Sequence, residues 1–390
     1  MNRSLVGHSK VLVSLLAAAL LPAVTVAQTS AGRVVHAAAY VGADGKIHTG
    51  GVVVVENGVI TQVGGDVPSD TRVDAYPGGV VCPGLIDCAA SLGAYGNLSE
   101  RQNAIQPHVN ARDAFDRFSR QLRAALAAGV TTFALAPDDQ NLVGGRIAVC
   151  QTAGPDGKPR ILTEAGPLKL SIAPESFKQD REPTSRAGAI GLLRETIEAA
   201  RRDASEDNPL AAFAAGRLTG VFTTPSGADV LAALRLKADY GLRLVLVHTR
   251  DARLVAEQTA GQVTGVIVGP LDLAAGRREA LAAGVFERHA VPVALAGGLP
   301  ARPADSLRIA AAVAARAGLT PEAARRAITT VPADLLGMGD RIGKIQKGHQ
   351  ADLVVFSGDP LDLRSRVLAV YVAGQRVYVP DLKAPEGDQP

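Results

Sequence analysis

The sequence predicts a (β/α)₈ barrel joined to a small β domain that is assembled from both ends of the chain. Strand and helix patterns alternate over about 255 residues, which is the typical length and rhythm of such a barrel. β-rich segments come before and after this region, and 47% of the 390 residues are apolar, enough to bury a large core. A doubly wound sheet is the alternative, but it would require a Gly-rich phosphate-binding turn that we do not find.

The first 27 residues have the pattern of a secretory signal peptide. Arg3 and Lys10 are basic, residues 11–21 are apolar except for one serine, and residues 25–27 (TVA) are small enough for a cleavage site before Gln28. An uncleaved N-terminal anchor is the alternative, because the apolar run is close to the lower limit of spanning length. We therefore expect an exported bacterial protein, periplasmic or secreted, that is not membrane-bound after cleavage.

The predicted β domain combines residues 28–79 with residues 336–380, and residues 381–390 form a tail. Its clearest element is a hairpin in which Asn57-Gly58 separates the β-branched runs 52–56 and 59–63, because Asn-Gly is a strong signal for a two-residue β-turn. The C-terminal part is predicted to contribute three strands, at 351–356, 367–372 and 375–379.

Residues 80–335 are predicted to form the barrel. The expected strands are 80–90, 130–136, 218–223, 243–248, 264–268 and 292–296. The expected helices are 111–128, 184–204, 228–240, one near Ala252, one near Ala280, and two after the last strand, of which the second has Thr320 as its N-cap. Active sites in this fold lie at the carboxyl ends of the strands.

Several motifs together resemble those of the amidohydrolase superfamily. They are 83–87 (PGLID), 327–337 (AITTVPADLLG) and 343–356 (GKIQKGHQADLVVF), while 141–145 (NLVGG) and 185–195 (SRAG and LLRE) resemble its imidazolonepropionase-like branch. The resemblance covers nearly all of the chain after the signal peptide. It implies a metal-dependent hydrolase of C–N bonds, with a cyclic amide, imide or peptide-like substrate.

The resemblance also implies one or two divalent metals, often zinc. The ligands would be a His-x-His pair on the first barrel strand, a Lys or Glu on the fourth, His on the fifth and sixth, and an Asp after the eighth. The positions of the pair are occupied by Ala89 and Ser91, and 149–150, 267–269 and 296–298 offer none of the expected ligands. We therefore expect no metal cofactor, and zinc or another divalent cation only if the site is functional after all.

The remaining polar residues near the predicted barrel mouth are the candidate site. His248 stands where a ligand is expected and is the candidate catalytic residue; a hydrogen-bonded filler is the alternative. Asp138, Asp139 and Arg250 are candidate substrate-binding residues, with a helix cap or a solvated loop as the alternative.

Two residues of the first barrel strand are expected to face opposite ways. Asp87 has the same alternation as Ala89, so it could project into the barrel, and the resemblance implies a structural role for it. Cys88 has the opposite alternation and is expected to face a helix.

Composition excludes one class of partner. A net charge of +3 without a basic run, with 4% aromatic residues, does not favour nucleic acid. The disulfide state of Cys82, Cys88 and Cys150 stays open, since the three cysteines form no C-x-x-C motif.

Two functions therefore remain, together with a purely structural subunit of a hetero-oligomer, which the sequence does not separate from the second. The first is hydrolysis by an unusual site around His248. The second is a non-catalytic homologue that binds a small amide or peptide-like ligand, or serves as a partner subunit of an active amidohydrolase in a homo- or hetero-oligomer.

Overall fold

The computed structural model describes residues 32–69, 71–163, 166–203, 205 and 207–380. The predicted signal peptide and the predicted C-terminal tail lie outside the described residues. Among the helices of the described part, none is both long and apolar enough to cross a bilayer.

Strands and helices alternate along the middle of the chain and give way to strands at both ends. The strands are β1 (Arg33–Val41), β2 (Ile47–Glu56), β3 (Val59–Val63), β4 (Arg72–Pro83), β5 (Leu85–Ala90), β6 (Val130–Leu135), β7 (Val143–Arg146), β8 (Ala148–Gln151), β9 (Arg160–Thr163), β10 (Leu168–Ser171), β11 (Thr219–Thr223), β12 (Arg243–Val247), β13 (Gly265–Val268), β14 (Val293–Leu295), β15 (Leu353–Phe356), β16 (Val367–Val372) and β17 (Gln375–Tyr378). The helices are α1 (Arg120–Ala127), α2 (Arg186–Arg202), α3 (Pro209–Ala214), α4 (Gly227–Tyr240), α5 (Ala252–Thr259), α6 (Arg277–Arg288), α7 (Ser306–Arg316), α8 (Pro321–Arg326) and α9 (Thr330–Leu335).

One seven-stranded sheet joins the two ends of the chain, in the order β17-β16-β15-β4-β1-β2-β3. The pairing that joins them is antiparallel, between β4 and β15, with Pro83 opposite Leu353. The predicted hairpin is confirmed as β2 and β3, and Asn57 and Gly58 both have positive φ, as a type I′ turn requires.

Strand β4 continues in the seven-stranded sheet to Pro83, and β5 begins at Leu85. The strand predicted over 80–90 is therefore two strands, separated at Gly84. A side chain at this position would collide with Thr131, whose Oγ1 would lie 2.1 Å from the added Cβ. The absence of a side chain at Gly84 leaves room for the side chain of Thr131 at the point where the chain leaves one sheet and enters the next.

The middle of the chain forms two further sheets. A six-stranded sheet has the order β14-β13-β12-β11-β10-β7, in which β10 to β14 are parallel. A four-stranded sheet has the order β5-β6-β8-β9, in which only β5 and β6 are parallel. The antiparallel strands β7 to β9 were not predicted. They are short, and no helices lie between them to indicate the strand-helix repeat of a barrel.

The helix predicted over 111–128 is shorter than expected. Only a 3₁₀ turn at Ala111–Ala114 and the later α1 are helical. Between them, the Asp116 carboxylate accepts a hydrogen bond of 2.8 Å from the N–H of Phe118. Such a local turn competes with helical hydrogen bonding.

Except for β9, which is half-buried, the strands of the two middle sheets bury most of their residues on both faces. One face packs against the helices, and the other contributes to a smaller apolar cluster that includes Ile86, Cys88, Ala134, Val221, Val245, Ile267 and Ala294. Alternate residues of a strand point to opposite faces, so this cluster marks the face opposite to α1–α8, and Ala333 and Leu335 of α9 belong to it.

A short stretch of chain lies between the edge strands β14 and β5. The N–H of Leu295 donates to the carbonyl of Ala327 at 2.8 Å, and the N–H of Ile86 donates to the carbonyl of Ile328 at 2.9 Å. The edges of the two sheets are therefore neighbours, and we call this junction the seam.

Candidate functional site

A buried lysine forms the centre of the polar group at the carboxyl ends of β10 and β11. Lys169 Nζ donates to Asp139 Oδ1 at 2.6 Å and to Thr223 Oγ1 at 2.5 Å. The Lys169 side chain is 8% exposed and that of Asp139 is 36% exposed. The parallel pairing of β10 with β11 brings Lys169 and Thr223 together, and the loop after β6 supplies Asp139.

The environment of Asp139 favours its ionised form. Burial by itself raises the pKa of this carboxyl group, but the ammonium group and hydrogen bond of Lys169, with hydrogen bonds from Thr223 and Ser171, outweigh burial and hold the pKa below its usual value. The Asp139 carboxylate is therefore ionised at neutral pH and pairs with Lys169. Sequence reasoning missed Lys169; the signal available was a single lysine in the apolar segment 168–171.

The two aspartates predicted to bind substrate have different environments. Asp138 is exposed, and its Oδ1 accepts hydrogen bonds from the hydroxyl of Ser99 and from the N–H of Gln140. These contacts stabilise a local turn. They fit the solvated loop that was the alternative to substrate binding for this residue. Of the two aspartates, Asp139 is the one that joins the Lys169 group.

His248 directly follows β12 and is 2% exposed. Its Nδ1 lies 2.5 Å from the carbonyl oxygen of Thr224, which can only accept, so Nδ1 carries the proton. Its Nε2 accepts from the N–H of Asp251 at 3.1 Å. Burial lowers the pKa of the imidazole, which keeps it neutral. Both nitrogens are thus engaged in holding two loops, and neither is free to bind a metal or a substrate.

Asp87 is fully buried at the seam. Its Oδ1 accepts from the N–H of Ala89, and its Oδ2 accepts from the N–H of Gly297 in the loop after β14, each at 3.2 Å. Burial raises the pKa of the Asp87 carboxyl group to about 6, against the hydrogen bonds from Ala89, Gly297 and Leu299, which lower it.

The alternation predicted for Asp87 and Cys88 is wrong. The pairing of β5 with β6 shifts register between Asp87 and Ala90, and Cys88 lies in the apolar cluster on the face opposite to α1–α8. An irregularity in strand pairing changes which way the neighbouring side chains point. The Asp87 carboxylate points to the seam, where it accepts from the N–H of Gly297. Ala89 is half-buried and Ser91 is exposed, so neither position of the expected pair presents a strong metal ligand.

The residues present do not fit a divalent metal. Within the described ranges, no group of three or more His, Cys, Asp or Glu side chains is placed to hold one. Residues 149–150, where we expected the fourth-strand ligand, lie on the antiparallel strand β8, so that placement is wrong. The lysine of the parallel strand β10 is already paired with Asp139.

Arg250 lies apart from the Lys169 group. Its side chain is 74% exposed, and its Nε is 3.7 Å from Glu279 Oε1. An ion pair this exposed contributes little to stability. The residue belongs to the loop that precedes α5.

Comparisons with known proteins agree on one family. The model of the Amidohydrolase family matches residues 304–378. Amidohydrolase tasK of Hapsidospora irregularis is 24% identical over 83% of this chain, and the chain spans 39% of that relative's length. The crystal structure of an amidohydrolase from Thermotoga maritima MSB8 is 25% identical, with a TM-score of 0.80 over 89% of this chain and all of that one. A prolidase complexed with N-methylphosphonate-L-proline is 18% identical, with a TM-score of 0.57 over 90% of this chain and all of that one, and shows a shared fold.

Proposed function

This chain belongs to the amidohydrolase superfamily, and we propose that it is a homologue without metal-dependent catalysis, which binds a small amide or peptide-like ligand at the mouth of its barrel. We also propose that the two middle sheets form one (β/α)₈-like wall. The backbone hydrogen bonds at the seam support this arrangement.

One observation carries the functional proposal. The Lys169 ammonium group, the most buried cation at the expected site, is compensated by Asp139 and hydrogen-bonded to Thr223. A metal centre would need about three protein donors at this face. The positions expected to supply them hold Ala89, Ser91 and an imidazole whose nitrogens are both engaged.

The same group suits an amide ligand. A carboxylate such as Asp139 accepts from an amide N–H, while the Lys169 ammonium group, which has three N–H donors and is hydrogen-bonded to Asp139 and Thr223, can donate its third to a carbonyl oxygen. Asp139 is the more exposed member of the pair and is therefore the expected point of first contact.

The experiment measures metal content, binding and turnover on the same purified protein. We expect well under one equivalent of zinc, manganese or iron, saturable binding of at least one compound in a panel of dipeptides and cyclic amides, and no turnover. Lys169→Met should abolish that binding, whereas Lys237→Met, on α4, should leave it unchanged. A stoichiometric, chelator-sensitive metal together with turnover would overturn the proposal.

Hydrolysis of C–N bonds is the second candidate, favoured by the TM-score of 0.80 to a solved amidohydrolase. It requires turnover that persists in the purified protein. Catalysis by His248 would further require His248→Ala to abolish turnover without unfolding the protein.

Export and partnership are proposed on the sequence alone. N-terminal sequencing of protein recovered from the periplasm or medium should begin at Gln28. Copurification with an active amidohydrolase homologue, tested by tagging this chain, would support a hetero-oligomer.

A further inference from the structure

A pocket lined by arginines lies between α5 and α6. It has a volume of about 550 Å³ and is bordered by Arg250, Arg253, Arg277 and Arg278, with Leu281 among its apolar residues. We call it the arginine pocket. None of Lys169, Asp139 and Thr223 borders it, so it is separate from the Lys169 group.

The positive charge of the arginine pocket is largely uncompensated. Among the described residues, Arg253, Arg277 and Arg278 form no ion pair, and all three are exposed. The carboxylate of Asp251, which also borders the pocket, accepts from the N–H of Gly227 at 2.9 Å.

These arginines also stand at unfavourable places in their helices. Arg253 is the second residue of α5, and Arg277 and Arg278 are the first two residues of α6. Cations near a helix N-terminus oppose the helix dipole. A local rule broken without a structural gain is expected at a functional site.

The apolar side of the pocket is as unusual as its charge. Leu254 borders the pocket and is 72% exposed, and Leu281 and Val285 border it from α6. The volume is within the range of small-molecule sites.

We infer that the arginine pocket binds a small organic anion that carries two or more carboxylate or phosphate groups beside an apolar group. Guanidinium groups bind carboxylate and phosphate in a bidentate manner, and several around one pocket favour a ligand with several anionic groups. The leucines would contact the apolar part.

The test is calorimetric titration of the purified protein with benzene-1,3,5-tricarboxylate. We expect saturable binding that weakens about tenfold or more when NaCl is raised from about 0.05 to about 0.5 M, because salt screens exposed charges. The uncharged benzene-1,3,5-tricarboxamide should not bind.

Variants locate the site. Arg253→Ala with Arg277→Ala should weaken binding at least about tenfold, since each charged hydrogen bond contributes to affinity. Arg120→Ala with Arg123→Ala removes the same charge from exposed positions on α1 and should change binding less than about twofold.

The inference is overturned if the tricarboxylate shows no saturable binding, or if both double variants lose affinity equally. Lys169→Met should bind the tricarboxylate as the parent protein does. That variant separates failure of this inference from failure of the proposed function.

Discussion

Asp87 Oδ2 accepts a hydrogen bond from the N–H of Gly297 across the seam between β5 and the loop after β14. The hydroxyl of Ser306 donates to the carbonyl of the same glycine at 2.7 Å. Gly297 lies in the segment where the resemblance leads us to expect a carboxylate. In this chain a neighbouring strand supplies the carboxylate, and its role is to join the two edges.

Asp87 should make the stability of the protein depend on pH. Its pKa of about 6 in the folded state is above the usual value of 3.8, so between these values the folded state holds a proton that the unfolded state has released. Stability from this group therefore rises as pH falls from about 7 to about 5, by about 1 kcal/mol. Urea unfolding at about pH 7 and about pH 5 should show this rise in the free energy of unfolding for the parent but not for Asp87→Asn. Asp113→Asn, an exposed control, should follow the parent; a parent and Asp87→Asn with parallel pH profiles would contradict the assignment.

Gly297→Ala should destabilise the protein by about 1–3 kcal/mol, because the added methyl would overpack the seam. The new Cβ would lie 2.8 Å from Asp87 Oδ2 and 3.1 Å from Ser306 Oγ. Thermal unfolding measures the effect. Gly191→Ala, in α2 with no atom within 4 Å of its added Cβ, is the matched control and should not destabilise.

His248→Ala should cost about 2–4 kcal/mol of stability, because the Thr224 carbonyl and the Asp251 N–H would both lose a buried partner. Since burial lowers the imidazole pKa, this residue contributes stability that is lost as pH falls below about 6.5. Nitrogen NMR should find the proton on Nδ1 at about pH 7. His108→Ala, at an exposed position, should be neutral. A His248→Ala protein of unchanged stability would contradict the structural role.

Lys169 and Asp139 should show a coupling energy of about 1 kcal/mol or more in a double-mutant cycle of Lys169→Met and Asp139→Asn. The reason is that the lysine side chain is buried and that its Nζ lies only 2.6 Å from Asp139 Oδ1. The exposed pair of Arg364 and Asp362 offers a control whose coupling should be under about 0.5 kcal/mol. Equal coupling in both cycles would show that burial does not strengthen the Lys169 pair.

The three cysteines should be unreactive in the folded protein. All are free and buried, and burial raises the pKa of the Cys82 and Cys150 thiols to about 12 and that of Cys88 well above its usual value. A thiol reagent at about pH 8 should label none of them in native protein and all of them after unfolding. Rapid native labelling would contradict the burial of these side chains.

Much of the fold follows from local pattern. Periodicity and turn chemistry locate β11 to β14, α4 and the hairpin at Asn57, since each bears its own signal. The strands of the region 143–171 could not be predicted, because the sequence pattern of a short antiparallel strand cannot be distinguished from that of any other short, buried apolar segment. Lys169 was missed for the same reason, since its strand was not recognised.

The printed sequence is enough to show that the ligand positions 89 and 91 hold no histidine, because identity at a position needs no coordinates. What the remaining polar residues do is a property of the folded chain. Asp139 meets Lys169 from the loop after β6, both nitrogens of His248 bind loop backbone, and the Asp87 carboxylate accepts from the N–H of Gly297 across the seam. Each of these outcomes depends on contacts between segments that strand pairing brings together and that local sequence does not encode.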